Sequence, residues 1–548
     1  MGTVTDGAHG ALVLWSQPEL GLARLRMRHV LGGGVLDPAW PAEGLALGVG
    51  SAAASDAVLV SDEAGGAVAV WTDSRTGTAK TYAQRVRSNG SVDPAWPAGG
   101  VPISSASGTQ RRPAVAGDGA GGVFVTWEDT RTGGNARSDL YAQHVRADGS
   151  LDPAWPALGA AVCTAIYEQF DPAIVADGMG GGAQVAWFDR RQTTAYEEVW
   201  TQRLDSTGAL ASGWPVNGIT LASGDGIWRS ELKLASDHAN GFFALWNESP
   251  AFDNHEVRLI RVGVNGAPVA GWPAGGLELS EPFTASLNGR MVVDDSGPGA
   301  PAVLATWAEY FDFGIHARRV LGDGTFDPAW PASPANLLPL PMTSPKLTGA
   351  VSDDTGGLIL LWSAAPSSSG SDDNIFASHV LATGTPDPAW PVGGALVCGA
   401  SGMQGPPAAI SDGTGGALAV WAGDGIGTTA NVNAQRVDRG GIVGPLAAGV
   451  GRDAAVAQHA FALPSPQPAH GASRLSFTLG QPGRVRLSVF DTNGRRVRAL
   501  WDGALPAGAH SMSWDLRDEQ GGHVAPGLYF AKLSASGREL TQRIVVLD

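Results

Sequence analysis

A repeated tryptophan is the feature that most constrains how this sequence can fold. The run from Pro113 to Trp127 reads Pro-Ala-Val-Ala-Gly-Asp-Gly-Ala-Gly-Gly-Val-Phe-Val-Thr-Trp. Its final tryptophan has equivalents spaced 55 to 61 residues apart, at Trp15, Trp71, Trp127, Trp187, Trp246, Trp307, Trp362 and Trp421. A Trp-Pro pair recurs between them, at Trp40, Trp96, Trp155, Trp214, Trp272, Trp330 and Trp390, and the eighth copy has Gly444-Pro445 instead. Because repeats of this length are typical of solenoids, propellers and arrays, residues 1–450 are predicted to be eight units of about 58 residues.

Each unit has the pattern of strands. Side chains between Val123 and Glu128 alternate with period two, and the preceding Asp-Gly-x-Gly-Gly is typical of a hairpin turn. The unit around Trp127 is predicted to hold four strands, at 113–117, 122–128, 140–146 and around Val162. Four strands per unit predict an all-β fold, an eight-bladed β-propeller with four-stranded blades. A β-solenoid is the alternative, although its repeats are usually shorter.

The start of the chain leaves two possibilities open. The sequence begins inside the first strand of the first unit, and residues 1–6 show neither a basic nor an apolar signal-peptide region. The ring could therefore close by packing blade on blade, or the chain could be a fragment of a larger adhesin.

The two cysteines occupy equivalent positions in units four apart. Cys163 lies eight residues after Trp155, and Cys398 lies eight residues after Trp390. In an eight-bladed ring those units are diametrically opposed, whereas a disulfide needs Cα atoms within about 7 Å. We expect both thiols to be free.

The charge balance changes beyond an Ala/Gly-rich linker at 451–459. Residues 460–548 contain 10 Lys and Arg against 7 Asp and Glu, a net charge of +3, so that the rest of the chain carries −19 of the total of −16. Short alternating strands separated by Gly and Asn turns predict a small immunoglobulin-like β-sandwich at 460–548.

Several motifs give this C-terminal segment a family resemblance. They are Val-Phe-Asp-x-x-Gly-Arg-x-Val from Val489 to Val497, Trp514-Asp515, and Pro526-Gly527-Leu528-Tyr529. The segment resembles the immunoglobulin-like domain of flagellar hook-capping proteins and, equally, the related C-terminal sorting domain of type IX secretion cargo. The upstream repeats look like those that precede such domains in secreted or surface bacterial proteins. The resemblance implies export, with the last domain as a secretion or anchoring signal that engages the secretion machinery. The opening Pro464-Ser465-Pro466 lacks the family's Asn.

Composition and motifs exclude several classes of protein. The net charge of −16 with only four lysines argues against a nucleic-acid binder, and no apolar run reaches 18 residues. The sequence lacks Gly-x-Ser-x-Gly, His-Glu-x-x-His, a P-loop and an EF-hand run. We therefore predict no cofactor, no metal and no catalytic residues, and we favour a protein without enzymatic activity over an enzyme.

Acids two residues after the repeated tryptophan are the first candidate for a binding site. They are Asp73, Asp129, Asp189, Glu248 and Glu309, and three units add an arginine two residues further on, at Arg75, Arg131 and Arg191. In a propeller this connection lies on the usual ligand side, so the acids could bind a cation or sugar hydroxyl groups. The alternative is that each acid caps its turn and pairs with the arginine of the same loop.

Tryptophans of the Trp-Pro pairs are the second candidate. Exposed, they could stack on sugar rings, but recurrence in seven units favours a wedge between blades. His29, His144 and His379 recur in the third strand of different units, in different blades, and are predicted to be strand-surface residues.

Taken together, the sequence predicts an exported, non-enzymatic binding or structural protein of a bacterial surface, secreted or at the cell surface. Its propeller would be a platform for a glycan or a surface protein. One alternative is a propeller hydrolase acting on extracellular polysaccharide with Asp129, Asp189, Glu248 and Glu309, which would need two carboxylates about 5–10 Å apart. The ligand and the oligomeric state do not follow from the sequence.

Overall fold

The chain divides into two compact units, Met1–Val450 and Gly451–Asp548. The computed structural model describes residues 1–19, 22–48, 53–132, 137–178, 181–192, 196–224, 226–251, 254–281, 286–295, 301–309, 314–337, 343–365, 373–400, 404–424, 430–444, 460–461, 464–479, 483–492, 494–505, 508–535 and 538–547. The predicted linker at 451–459 lies outside the described residues.

The first four repeats of the first unit each form a four-stranded antiparallel sheet in chain order. Sheet 1 contains β1 (Gly2–Thr5), β2 (Ala11–Glu19), β3 (Leu22–Val30) and β4 (Leu45–Leu47). Sheet 2 contains β5 (Ala54–Ser61), β6 (Ala67–Asp73), β7 (Lys80–Val86) and β8 (Val101–Pro102). Sheet 3 contains β9 (Gln110–Gly117), β10 (Val123–Asp129), β11 (Asp139–Val145) and β12 (Ala160–Cys163). Sheet 4 contains β13 (Gln169–Ala176), β14 (Ala183–Asp189), β15 (Glu198–Leu204) and β16 (Ile219–Ala222).

The next repeats continue the series. Sheet 5 contains β17 (Trp228–Ser236), β18 (Phe242–Ala251), β19 (Asn254–Val262) and β20 (Leu277–Glu278). Sheet 6 contains β21 (Ser286–Asp294), β22 (Ala302–Glu309), β23 (Ile315–Val320) and β24 (Ala335–Asn336). Sheet 7 contains β25 (Thr343–Ser352), β26 (Leu358–Ala365), β27 (Asn374–Val380) and β28 (Ala395–Cys398). Sheet 8 has three strands within the described residues, β29 (Ala408–Ser411), β30 (Ala417–Asp424) and β31 (Ala430–Val437).

The turn between the first and second strands follows from the Asp-Gly-x-Gly-Gly sequence. In sheet 3, the Asp118 carboxylate accepts hydrogen bonds from the backbone N–H groups of Ala120 (2.7 Å) and Gly122 (2.8 Å). Gly119 and Gly121 have φ angles of 74° and 85°, which glycine adopts without a steric cost. The side-chain acceptor and the two glycines close the hairpin locally, as the sequence predicts.

The sheets of the first unit follow one another around a ring. The first strand of each sheet contacts the first strand of the next, and β1 contacts β29, so that the eighth sheet also contacts the first. A hydrophobic core fills each junction: Phe124 and Leu140 of sheet 3, for example, pack with Val185 and Trp187 of sheet 4. At the closing junction Val13 and Trp15 pack with Leu418 and Val420. This is the arrangement of a β-propeller, and the first strands are the innermost ones.

The Trp-Pro tryptophans lie buried between consecutive sheets. Trp96 of sheet 2 is 3% exposed and donates from its indole Nε1 to the carbonyl of Ala147 in sheet 3 (3.0 Å). Its ring packs on Gly149, where a Cβ atom would lie 2.8 Å from the indole. Equivalent donors to the next sheet are Trp40, Trp155, Trp214, Trp272, Trp330 and Trp390. These indoles pack between consecutive sheets and hydrogen-bond one sheet to the next, so their rings are not exposed for stacking on a ligand.

Antiparallel order gives the ring two distinct faces. The Asp-Gly turns and the Trp-Pro segments lie at one end of the strands, and we call this the turn face. Connections from second to third strands, and from each sheet to the next, lie at the other end, the loop face. The repeated acids and arginines are therefore on the loop face.

The second unit is a sandwich of β-strands. Its strands are β32 (Ala460–Phe461), β33 (Ser465–His470), β34 (Ala472–Leu479), β35 (Gly483–Phe490), β36 (Arg496–Leu505), β37 (Gly508–Trp514), β38 (Gly527–Ala535) and β39 (Arg538–Val546). Its core includes Leu475, Phe477, Leu487, Trp514 and Leu533. The pairing is antiparallel except for β33 with β39, which are parallel.

Both cysteines are free and buried, Cys163 in β12 and Cys398 in β28. Burial raises the pKa of the Cys163 thiol to about 12, even though the nearby Arg191 acts in the opposite direction. No described segment forms a helix with the length and apolar character that crossing a lipid bilayer would need.

Candidate functional site

The repeated acids lie at the loop-face ends of the second strands and bind the tryptophan that precedes them. Residues i and i+2 of a strand point to the same side, so each indole can reach the acid of its own strand. The Trp127 indole donates to Asp129 at 2.8 Å, and the distance is 2.7 to 3.0 Å in the other four sheets. All five acids are buried, with exposed fractions of 0 to 6%.

The three repeated arginines occupy the same place in sheets 2, 3 and 4. Arg131 donates from its backbone N–H to Asp129 (2.9 Å) and from its guanidinium to the same carboxylate (2.6 Å). The guanidinium also donates to the carbonyl of Leu158 (2.9 Å) and lies 3.7 Å from the centre of the Tyr141 ring. Arg75 and Arg191 repeat this arrangement with Asp73 and Asp189.

In sheets 5 and 6 the repeated acid has other hydrogen-bond partners in place of an arginine from the same loop. Glu248 accepts from Arg229 of the first strand (2.7 Å) and forms an ion pair with Arg258 of the third (3.3 Å). Glu309 accepts hydrogen bonds from Ser286 and from the Trp307 indole.

The carboxylates are therefore occupied by partners of their own sheet. At Asp73, burial alone would raise the pKa, but hydrogen bonds from Arg75 and Trp71 outweigh it and hold the pKa below its ordinary value. A buried carboxylate with an indole and a guanidinium on it is poorly placed to accept a sugar hydroxyl or to transfer a proton. In sheets 2, 3 and 4 the acid caps its turn and pairs with the arginine of the same loop.

The third-strand histidines, predicted to lie on the strand surface, are instead largely buried between carboxylates, a motif that the sequence prediction missed. In sheet 3, His144 lies between two carboxylates on the turn face, with Nε2 3.0 Å from Asp118 and Nδ1 2.9 Å from Asp152. His29 and His379 are held in the same way in sheets 1 and 7. Arginine occupies the equivalent position in the other sheets: Arg85, Arg203, Arg261, Arg319 and Arg436. We call these groupings the cation clamps.

The clamps of sheets 3 and 7 favour the charged form of their histidines. Burial alone would lower the pKa of His144, but the hydrogen bonds and charges of Asp118 and Asp152 outweigh it and raise the pKa. His379 is raised for the same reasons by Asp353 and Asp387. The signal that could have revealed the clamps is the exchange of His for Arg at one strand position across the repeats.

Ion pairs also cross from sheet to sheet on the loop face. Glu128 is fully buried and accepts from Arg111 (2.7 Å), from Arg112 (3.2 Å) and from the backbone N–H of Asp171 in sheet 4 (3.0 Å). The Asp171 carboxylate pairs in turn with Arg112 (3.2 Å). This network ties the innermost strands β9 and β13 together.

The innermost strands share a bulge near the loop face. The register of first against second strand shifts there in five consecutive sheets. A residue with φ between 46° and 59° lies within each shift: Asp56, Arg112, Asp171, Glu231 and Asn288. Left-handed backbone is unfavourable for Arg and Glu, and in sheets 3 and 4 the hydrogen bonds of Glu128 with Arg112 and with the backbone N–H of Asp171 stabilise the bulge. It places polar side chains of different charge on equivalent positions of the inner strands.

Two cations follow the bulge in sheets 5 and 6. Burial, with the charge of Arg290 nearby, lowers the pKa of Lys233 to about 8. The Lys233 ammonium lies 3.6 Å from the carboxylate of Glu231.

Within the described residues, no group of three or more His, Cys, Asp or Glu side chains could hold a metal ion.

The loop face also carries exposed aromatic side chains that have no equivalents in the other repeats. Trp228, the first residue of β17, is 55% exposed, and the Tyr196 ring meets it edge-on with centroids 5.7 Å apart. Tyr167, between β12 and β13, is 37% exposed, and its neighbour Ile166 is 66% exposed. Sequence reasoning missed these residues because they have no equivalents in the other repeats.

Comparison with known proteins identifies the C-terminal segment. Residues 466–539 match the FlgD Ig-like domain, which confirms the family resemblance of this part of the chain. No curated protein matches the chain in sequence.

Solved structures resemble the chain only distantly. The puromycin hydrolase structure has 14% identity and a TM-score of 0.40. The match covers 82% of this chain and 62% of the length of that one. A prolyl endopeptidase structure has 12% identity and a TM-score of 0.41, covering 78% of this chain and 54% of that one. An exo-1,5-alpha-L-arabinanase from a bovine ruminal metagenomic library has 11% identity and a TM-score of 0.28, covering 50% of this chain and 96% of that one. Likeness at this level identifies no activity.

Proposed function

We propose that this chain is an exported, non-enzymatic binding or structural protein of a bacterial surface. In this proposal the first unit is a closed, eight-bladed propeller that presents a binding platform for a glycan or a surface protein. The C-terminal domain, 460–548, serves secretion or anchoring and engages the secretion machinery. Eight described sheets with contact between the last and the first support the blade count.

The occupied acids are the observation that carries the non-enzymatic part of the proposal. Asp129, Asp189, Glu248 and Glu309 are the residues a hydrolase on this scaffold would use, and each accepts an indole N–H in a buried position. General acid–base catalysis requires a carboxyl group within reach of the substrate. Although hydrolases are among the similar structures, their low TM-scores supply no argument for that activity.

The FlgD Ig-like match supports the extracytoplasmic part of the proposal. The domain name points to a bacterial flagellar or extracytoplasmic setting. The charge contrast between the units, +3 for 460–548 against −19 for the rest, fits a terminal domain with a partner different from that of the propeller.

Intact mass of the native protein in culture medium, surface and cell fractions tests this proposal. We expect the protein in the medium or surface fraction, and loss of about 85 residues there would show that the C-terminal domain is removed on export. Full-length protein confined to the cell interior would contradict the proposal and leave the C-terminal domain a structural role.

A further inference from the structure

The loop face of sheets 3 to 5 carries a continuous surface of aromatic and charged side chains. It is formed by Tyr167, Glu168, Arg190, Tyr196 and Trp228, with the buried Glu197 beneath them, and we call it the aromatic ridge. Tyr167 and Glu168 follow β12, Arg190 and Tyr196 lie between β14 and β15, and Trp228 begins β17. All these connections belong to the loop face, so the residues share one side of the ring.

Ion pairs make the ridge continuous. Arg190 pairs with Glu168 at 2.8 Å on one side and with Glu197 at 2.7 Å on the other. Glu197 accepts the backbone N–H of Arg229 (3.2 Å), beside Trp228. These contacts connect the Tyr167 segment to the base of Trp228 through the buried Glu197.

The ring of Trp228 is held by a rigid base. The next residue, Arg229, is 5% exposed, and its guanidinium donates to Glu248 (2.7 Å) and to the carbonyl of Ser223 (3.1 Å). Tyr196 packs edge-on against the indole. Because backbone and ring are already ordered, binding on the exposed indole face would cost little conformational entropy.

The chemistry of the ridge matches a sugar chain. A pyranose or furanose ring has an apolar C–H face, which can stack on an indole or phenol ring, and a rim of hydroxyl groups. Glu168 offers carboxylate oxygens and Arg190 offers N–H groups, and their pairing cancels their charges. Glu197 is 3% exposed, so it positions Arg190 and does not itself face a ligand. The charge of −19 outside residues 460–548 disfavours an anionic polymer.

We propose that the aromatic ridge binds a neutral polysaccharide, with sugar rings stacked on Trp228 and Tyr167 and hydroxyl groups bonded to the charged side chains between them. This inference rests on the binding role proposed above and names its ligand class. It places the site on residues that differ among the repeats.

Affinity electrophoresis of the full chain tests the ridge. The net charge of −16 drives migration in a native gel, and the gels contain laminarin, hydroxyethylcellulose, galactomannan, linear arabinan or, as an anionic polymer, alginate. We expect retardation by at least one of the four neutral polymers and none by alginate. Trp228→Ala should weaken binding about tenfold or more, Tyr167→Ala should weaken it less, and Trp228→Phe should retain most of it.

A matched control is available in the second unit. Trp501 is 37% exposed, so Trp501→Ala removes an exposed indole elsewhere and should leave retardation unchanged. The proposal is overturned if none of the neutral polymers retards the chain, as expected if the ridge takes a protein, or if Trp228→Ala and Trp501→Ala behave alike. Fractionation separates the two proposals: a surface-located chain without ridge binding keeps the proposed function, whereas a chain confined to the cell interior loses it whatever the gels show.

Discussion

The two faces of the ring use the same repeats in different ways. On the turn face, a His or Arg paired with the Asp of the turn recurs in every sheet of the ring, and a buried Trp-Pro tryptophan recurs in seven of them. On the loop face, the tryptophan–acid pair recurs, but the side chains outside it change from sheet to sheet. The residues that repeat are therefore those whose contacts hold each sheet together and join it to the next. A binding site, which is needed once, is to be sought where the repeats differ.

On the turn face, the largest effect should come from removing one of the buried Trp-Pro tryptophans. Trp155 is 3% exposed, packs against Phe124 and His144, and donates to the carbonyl of Ser206 in the next sheet. Trp155→Ala should lower the free energy of unfolding of the ring by about 3–5 kcal/mol, since it removes a large buried side chain. Urea unfolding followed by tryptophan fluorescence measures this. Trp501→Ala serves as the control, and equal midpoints for the two variants would refute a stapling role.

The clamps should make stability depend on pH through their histidines. The pKa values of His144 and His379 are raised in the folded state, so their contribution is complete below the unfolded value of about 6.5 and is lost as the pH rises through the folded values. The urea midpoint should fall as the pH increases above about 6.5.

Arginine supplies a matched replacement for this test. Sheets 2 and 6 already have an arginine between two carboxylates, Arg85 and Arg319, so the variant with His144→Arg and His379→Arg should keep the fold and lose most of the dependence above about pH 6.5. An unchanged pH profile in the double variant would rule out the clamps as its source.

Thiol labelling should show whether the Cys163 sulfur, which lies beneath Arg191 on the loop face, is protected from solvent in the folded chain. The Arg191 guanidinium lies 3.1 Å from the Cys163 sulfur, and burial raises the pKa of that thiol to about 12. Because the thiolate is the reactive form, iodoacetamide at pH 8 should label Cys163 at least about tenfold more slowly in the native chain than in urea. Peptide mass analysis measures the ratio, and rapid native labelling would show that this layer opens.

The smallest effect on stability should come from the aromatic ridge itself. Trp228 is 55% exposed, so Trp228→Ala should change the free energy of unfolding by only about 0.5 kcal/mol while it weakens polysaccharide binding. Urea unfolding of this variant, compared with the wild-type chain, provides the check. If Trp228→Ala lowered the free energy of unfolding as much as Trp155→Ala, Trp228 would be a residue that stabilises the ring and not a residue of an exposed binding surface.

The sequence predicts most of the framework because its signals are local and repeated. Period-two alternation and Asp-Gly turns predict the strands of sheet 3 within a few residues of their observed bounds. The acids were recognised by position, but their partners depend on side-chain direction: Trp127 and Asp129 share one side of a strand, which the i, i+2 rule would have indicated.

Other contacts join residues far apart in the chain and leave no local pattern. Asp118 and His144 are 26 residues apart, and the chain between Tyr167 and Trp228 spans a whole sheet. The ridge also lacks repetition, so comparison among the copies within the chain could not reveal it.

Removal of one repeated acid tests most directly whether the repeated residues of the loop face are framework. Asp129 is fully buried and binds Trp127 and Arg131, and Asp129→Ala would leave an indole N–H and a guanidinium without their carboxylate. The urea midpoint should fall by the equivalent of about 3–5 kcal/mol. The exposed Asp148, as Asp148→Ala, should leave it nearly unchanged. A midpoint for Asp129→Ala equal to that of the wild-type chain would contradict the account, because the acid would then be free to act on a ligand.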